Sequence, residues 1–147
     1  MDYRIINASH AYLDGLEHLE QQCFTDPWTR EQLSASFPDE HHAFLLAVDS
    51  QDNVLGYVAM IYVLDEGSIS NVAVDSRFRK QGIGDALLIA MLENARRLSL
   101  SFVTLEVRES NDAAISLYAK RGFVPVGKRK NYYEHPKEDA VLMTLYL

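Results

Sequence analysis

The sequence predicts a single α+β domain over residues 1–147, a mixed and mostly antiparallel sheet flanked by helices. Three observations carry that prediction. Apolar, β-branched runs follow one another between Ala43 and Val74 with only short polar turns between them, the pattern of an antiparallel meander. The apolar period then lengthens to that of a helix over Gly82–Leu98 and returns to alternation over Ser101–Val107. Strand, helix, strand in that order is a crossover, so the strands on either side of the helix run parallel. A chain of 147 residues is long enough to bury such a core without staples. With 48% hydrophobic and 24% charged residues it is not disordered, and 7 Gly and 4 Pro exclude a collagen-like fibre.

Taken in order, Tyr3–Asn7 is a short first strand. Ser9 is placed to cap a helix running to about Gln22, with Tyr12, Leu13, Leu16, Leu19 and Cys23 near helical spacing. Pro27 follows Asp26 at the start of a second helix, which Trp28–Ser36 completes. Pro38-Asp39-Glu40 is a loop. Ala43–Val48 and Val54–Leu64 are strands around an Asp49–Asn53 turn. Asp65-Glu66-Gly67 turns the chain into Ser68–Val74, where Ile69, Asn71 and Ala73 alternate against Ser70, Val72 and Val74. On the Gly82–Leu98 helix, Ile83, Leu87, Ala90, Met91, Ala95 and Leu98 share a face. Asn111–Arg121 is a short helix ended by Gly122. Phe123–Gly127 and Ala140–Leu147 are the last strands, joined by a long polar loop that holds Tyr132 and Tyr133.

Net charge is −7, unevenly spread. Residues 1–76 hold 2 basic and 13 acidic residues, and residues 77–147 hold 12 and 8. The overall sign disfavours nucleic-acid binding. The split fits an anionic partner for the second half and a cationic one for the first, or simply a solvated surface. The single cysteine, Cys23, excludes an internal disulfide. It is expected to lie far from the motifs and reads as core. Met1-Asp2-Tyr3-Arg4 does not open a signal peptide, and Val54–Leu64 is too short to cross a bilayer as a helix. A soluble, cytoplasmic monomer is expected, with no membrane and no direct nucleic-acid partner. His10, His18, His41, His42 and His135 show no ligand spacing, so no metal is expected.

Arg79-Lys80-Gln81-Gly82-Ile83-Gly84 lies between the Ser68–Val74 strand and the long helix. Glycines let a ligand approach the backbone, and a helix amino end presents free N–H groups that suit phosphate. Arg77, Arg79 and Lys80 add positive charge. The segment is either a pyrophosphate cradle or a plain turn. It lacks the third glycine of the dinucleotide fingerprint and the lysine of a Walker loop.

As Arg79-x-x-Gly82-x-Gly84, the segment resembles the acetyl-CoA signature of the GCN5-related N-acetyltransferases. Asn71-Val72-Ala73-Val74, Leu105-Glu106-Val107-Arg108, Ser110-Asn111, Leu117-Tyr118 and Gly122-Phe123 resemble that family's other segments, in order. Phe24-Thr25-Asp26-Pro27-Trp28, Arg129-Lys130-Asn131-Tyr132-Tyr133 and Glu138-Asp139-Ala140 resemble one subgroup, the ribosomal-protein-alanine N-acetyltransferases.

The resemblance implies a central pair of strands that splay, with the pantetheine arm of acetyl-CoA pairing to backbone of Val72, Ala73 and Val74. It implies a pyrophosphate on Lys80, Gln81, Gly82, Ile83, Gly84 and Asp85 beside Arg79. Asp85 departs from the basic or small residue usual there, and is expected to point away from the ligand. Asn111 is implied to touch the cofactor arm, or only caps its helix. By resemblance Glu106 is the general base. It shares a strand face with Phe102 and Thr104, where it also reads as an ordinary exposed carboxylate. Tyr118 is the candidate acid, a phenol near 10 against a thiol near 8.5, or a core aromatic. The Val74 N–H is the natural donor to the carbonyl oxygen. Phe24, Trp28, Tyr132 and Tyr133 line a peptide groove or merely pack two loops. The implied acceptor is the N-terminal alanine of a basic small-subunit ribosomal protein. Small-amine, antibiotic or lysine acetylation on the same fold is an alternative, as is a non-catalytic acyl-CoA-binding regulatory module.

Overall fold

The computed structural model describes residues 2–37 and 39–147; the Met1 and Pro38 parts of the expectations above lie outside the described residues. Strands β2 (His42–Asp49), β3 (Val54–Val63) and β4 (Glu66–Val74) form the expected antiparallel meander, and β1 (Tyr3–Asn7) pairs antiparallel with β2 at its edge. The crossover helix α3 (Ile83–Arg97) leads to β5 (Phe102–Arg108), which runs parallel to β4. Strands β6 (Val124–Glu134) and β7 (Lys137–Tyr146) complete one seven-stranded sheet in the order β1-β2-β3-β4-β5-β7-β6. Helices α1 (Leu13–Cys23) and α2 (Arg30–Ser36) belong with one buried cluster, around Leu16, Leu33, Leu46 and Tyr57. Helices α3 and α4 (Asp112–Lys120) belong with the other, around Leu87, Met91, Leu105 and Tyr118. Both faces of the central strands are covered, which is why β2 and β3 read as unbroken apolar runs rather than alternating ones.

Several boundaries differ from the expectation, each for a local reason. The chain after Ser9 first makes a 3-10 turn at His10–Tyr12, and the Ser9 side chain caps nothing. Helix α2 begins at Arg30, three residues after the expected start at Pro27, because Thr29 and Gln32 form a reciprocal capping box. The β3–β4 turn is only Leu64-Asp65, since Val63 pairs with Glu66. Gly67 is a strand residue; a Cβ there would lie 2.9 Å from Leu100 Cδ1, so its glycine serves close packing and not a turn. On α3 the buried face also takes in Leu88 and Leu92, while Leu98 is exposed. The segment expected as a polar loop around Tyr132 is the second half of β6, an edge strand with almost every side chain exposed. Exposure on both faces removes the apolar alternation that marks a strand.

The decisive irregularity lies in β4. Ala59 pairs with Asn71 but Met60 pairs with Ile69, so Ser70 is an extra residue in β4. The bulge reverses the faces: Ile69, Val72 and Val74 pack toward the α3 cluster, and Ala73 toward the α1 cluster. Simple alternation through Ser68–Val74 therefore fails. The parallel ladder to β5 also stops here, with Ile69 opposite Leu105 as its last pair. Beyond it Glu106–Arg108 pair only with β7, and Asn71–Val74 only with β3.

Gly56 holds β3 against this parted strand. A Cβ there would sit 2.7 Å from the Ala73 carbonyl oxygen and 3.3 Å from Leu87 Cδ1. Gly56→Val is expected to destabilise by about 3 kcal/mol, a fall in Tm of roughly 6–12 °C by calorimetry. An unchanged Tm would contradict the packing.

Candidate active site

The segment from Arg79 to Gly84 turns β4 into α3. Lys80 and Gly82 both take positive φ, +62° and +85°, the left-handed conformation found where successive amides turn toward an anion. The first bond within the helix runs from Ala86 N–H to the Gly82 carbonyl. The N–H groups of Ile83, Gly84 and Asp85 thus project from the helix end with no capping side chain. A Cβ built on Gly82 meets no atom within 4 Å, so the approach to this backbone is open. Open amides at a helix amino end, with Lys80 exposed beside them, fit a diphosphate.

Asp85 turns toward α4. Arg121 grips its carboxylate through Nε, at 2.6 Å, and Nη2, and Lys120 Nζ lies 3.9 Å away. Arg121 holds the Asp85 carboxyl below its ordinary range. A depressed folded value stabilises the fold above the unfolded carboxyl pKa of about 4, and that gain is lost as pH falls through the folded value. Asp85→Asn is therefore expected to lower Tm by about 2–4 °C at pH 7, with the difference closing as pH falls below 4. A difference independent of pH would show that the ion pair is not its source.

Arg79 does not reach over the helix end. Its Nε donates to the Val74 carbonyl at 3.1 Å, and its Nη2 lies 3.6 Å from Cys23 Sγ. Cys23 Sγ is itself 3.6 Å from the Val74 carbonyl. The expectation that Cys23 lies far from the motifs is thus corrected: the last turn of α1 packs on the end of β4. Burial pushes the Cys23 thiol up, which keeps it a neutral packing group. Along β4, Asp75 N–H bonds to the Leu55 carbonyl on β3, and the Ala73 carbonyl lies over Gly56. By strand alternation Ala73 spends its backbone pair on β3, while Val72 and Val74 face the gap. Of the three residues named for the cofactor arm, Val72 and Val74 turn their backbone groups away from β3 and Ala73 does not. The Asn111 side chain accepts the Ala114 N–H at 3.1 Å and caps α4, which accounts for its carbonyl oxygen.

Glu106 is the first residue of β5 past the last pair with β4. Leu105 and Val107 are buried toward α3, so Glu106 lies on the opposite face, the side of Tyr57 and α1. Its side chain is 29% exposed, with Arg129 Nε 3.3 Å from Oε1. A second irregularity brings aromatics here. Arg129 pairs with Ala140 and Tyr133 with Glu138, so β6 carries two extra residues between them. Asn131 takes φ +55° and its N–H bonds Asp139 Oδ1 at 2.8 Å. The bulge brings Tyr132 close to Glu106, and that carboxylate raises the Tyr132 pKa. The Tyr132 and Tyr133 rings meet edge to face at 5.0 Å, and the Arg108 guanidinium lies 4.3 Å from the Tyr133 ring centre.

Tyr118, on α4, is 8% exposed and packs on Phe123 with ring centres 5.8 Å apart. Burial, and then the proximity of Tyr133, pushes its hydroxyl up to about 12. Burial and the nearby Glu106 push Tyr133 to about 12 as well. Tyr133 thus stands between Tyr118 and Glu106, close enough to influence the first and be influenced by the second. Phe24 and Trp28 stand in a separate group, half-buried against the α1–α2 cluster. The sequence reading missed Arg129, Arg108 and the buried pair Glu20 and Tyr57. Glu20 was detectable: it follows Leu16 by four residues and precedes Cys23 by three, on the apolar face of α1.

A sheet whose parallel strands part after four residue pairs, with open helix amides at the mouth of the gap and a carboxylate on its far wall, defines an acyl-group transferase that works on a coenzyme A thioester. The chain belongs to the acetyltransferase (GNAT) family, whose family model matches residues 13–123, and is an acetyl-CoA-dependent N-acetyltransferase. It is 33% identical to the [ribosomal protein bS18]-alanine N-acetyltransferase of Escherichia coli over 135 residues, 90% of each chain. It is 36% identical to the enzyme so named in Haemophilus ducreyi over 136 residues, 90% of this chain and 92% of the relative. A crystal structure of the ribosomal-protein-alanine N-acetyltransferase from Escherichia coli superposes with a TM-score of 0.90 at 30% identity, covering 99% of this chain and 94% of that one. The structure of Ard1 from Thermoplasma volcanium gives 0.88 at 29% identity, with 100% and 99% covered.

Proposed function

We propose that this protein acetylates the N-terminal alanine of a basic ribosomal protein of the small subunit, working in the cytoplasm. The observation that carries the reading is the position of Glu106, at the parting of β4 and β5 and turned to the face that α1 and the β6 bulge enclose. The activity for which the two bacterial relatives are named supports the acceptor, and the acidic first half of the chain suits a basic peptide.

Bound acetyl-CoA supplies the thioester. An N-terminal amine has a pKa of about 8, so most of it carries an extra proton at neutral pH. Glu106 accepts that proton, directly or through one water. As the amine nitrogen bonds to the acetyl carbon, the Val74 N–H donates to the carbonyl oxygen that gains charge. The carbon–sulfur bond then breaks, the new amide nitrogen gives up its second proton to the departing thiolate through water, and the Tyr118 hydroxyl hydrogen-bonds that sulfur. No covalent enzyme intermediate is needed. Tyr132 and Tyr133 on one side, and the Phe24–Trp28 loop as a separate wall on the other, bound the peptide's first residues, and a tight fit excludes side chains larger than alanine's.

Mass spectrometry of ribosomal proteins from cells with and without this protein tests the reading. One small-subunit protein should carry 42 mass units more (roughly one acetyl group) at an N-terminal alanine only when the protein is present. Identical ribosomal masses would refute it.

A further inference from the structure

Glu20 is a carboxylate on the apolar face of α1, 1% exposed and, among the described residues, with no cationic partner. Burial pushes its carboxyl up. An apolar residue of similar size would pack there without that cost, so what the carboxylate holds is the question. It holds two things. Oε1 accepts the Trp28 N–H at 2.8 Å, and Oε2 accepts the hydroxyl of the fully buried Tyr57 on β3.

Trp28 lies in the α1–α2 loop. Among the described residues, the bond to Glu20 is the only hydrogen bond from the Thr25–Trp28 backbone to another part of the chain. The base of the same loop is seated at the gap: Cys23 Sγ lies 3.6 Å from the Val74 carbonyl, and Gln22 Oε1 accepts the Ser76 N–H at 2.8 Å. Tyr57 stands opposite Ala73, on the face that Glu106 shares. One buried carboxylate therefore links the loop to the floor of the acceptor side.

We propose that Glu20 is a positioning residue for the acceptor: by tying the Trp28 amide to Tyr57 it fixes the Phe24–Trp28 loop beside the parted strands, so that peptide binding, and not acetyl-CoA binding, depends on it. The inference rests on the acceptor reading above.

The test compares Glu20→Met, which fills the space but accepts no hydrogen bond, with Glu20→Gln, whose carbonyl still accepts the Trp28 N–H. For Glu20→Met, KM for an alanine-terminal peptide should rise about tenfold or more, with acetyl-CoA affinity by calorimetry within about twofold of wild type. Glu20→Gln should recover most of the peptide affinity. A folded Glu20→Met enzyme with lowered Tm but wild-type peptide KM would overturn the proposal, because a merely structural carboxylate acts that way. Should that variant not fold, hydrogen exchange in the wild-type protein decides. A Trp28 amide as protected as those of α1 supports the clamp, and one exchanging at the rate of a free loop refutes it. That measurement needs no acceptor, so a wild-type enzyme inactive on the peptide counts against the acceptor reading while the Trp28 amide still decides the clamp.

Discussion

Glu106→Gln is expected to lower kcat by about 10²–10⁴-fold while acetyl-CoA affinity stays within about twofold. The substitution keeps the shape and removes only the capacity to take a proton. The site is partly exposed and holds Arg129 as its ionic neighbour, so the fold loses little, within about 0.5 kcal/mol. The residual rate should climb with pH through the titration of the free amine near 8, because the small fraction already deprotonated then carries the reaction. Steady-state kinetics across pH 6–9, paired with calorimetry, read both effects. An unchanged kcat would remove Glu106 from the chemistry and leave the Arg129 contact as an ordinary surface pair.

Tyr118→Phe is the second large effect, about 10²-fold in kcat with KM for both substrates nearly unchanged. The structure alters the argument for this residue. A free phenol near 10 lies within two units of a thiol near 8.5, but burial and Tyr133 move Tyr118 to about 12. The gap widens to about 3.5 units, so full proton transfer to the thiolate is uphill. Tyr118 then acts mainly as a hydrogen-bond donor that stabilises the departing sulfur in a dry pocket. The same shift keeps it protonated at every working pH, so no alkaline fall in kcat below about pH 11 arises from it. Phenylalanine preserves the packing on Phe123 and the core face of α4. Full activity in Tyr118→Phe would assign the side chain to packing alone.

Much of this site was legible in the linear sequence, and the omissions follow a physical rule. The amides around Gly82 and the crossover of α3 are local features, written in residues within one turn of each other. The strand face of Glu106 follows from period-two geometry, which β5 obeys without a bulge. Where an inserted residue breaks that period, as at Ser70, pattern reasoning put Ile69 and Ala73 on one face when they lie on two. The β6 hairpin failed for a related reason: its pairing is carried by backbone bonds to β7, and two bulges plus exposure on both faces erase the side-chain signal. Cys23 is 51 residues from Val74 in sequence, so only the docking of α1 on β4 brings them together. Glu20 shows the converse: a single acid in an apolar helical stripe is a visible anomaly, but its partners, Trp28 and Tyr57, appear only in three dimensions.

All of these roles presuppose that the gap opened by Ser70 receives the arm of a thioester whose diphosphate rests on the amides after Gly82. Titrating the wild-type protein with acetyl-CoA in a calorimeter tests this most directly. The expected result is saturable binding of one molecule per chain, at an affinity on the order of micromolar and weakened severalfold by salt through its phosphate contacts. A folded sample that releases no heat and binds no acetyl-CoA at millimolar concentration would contradict it.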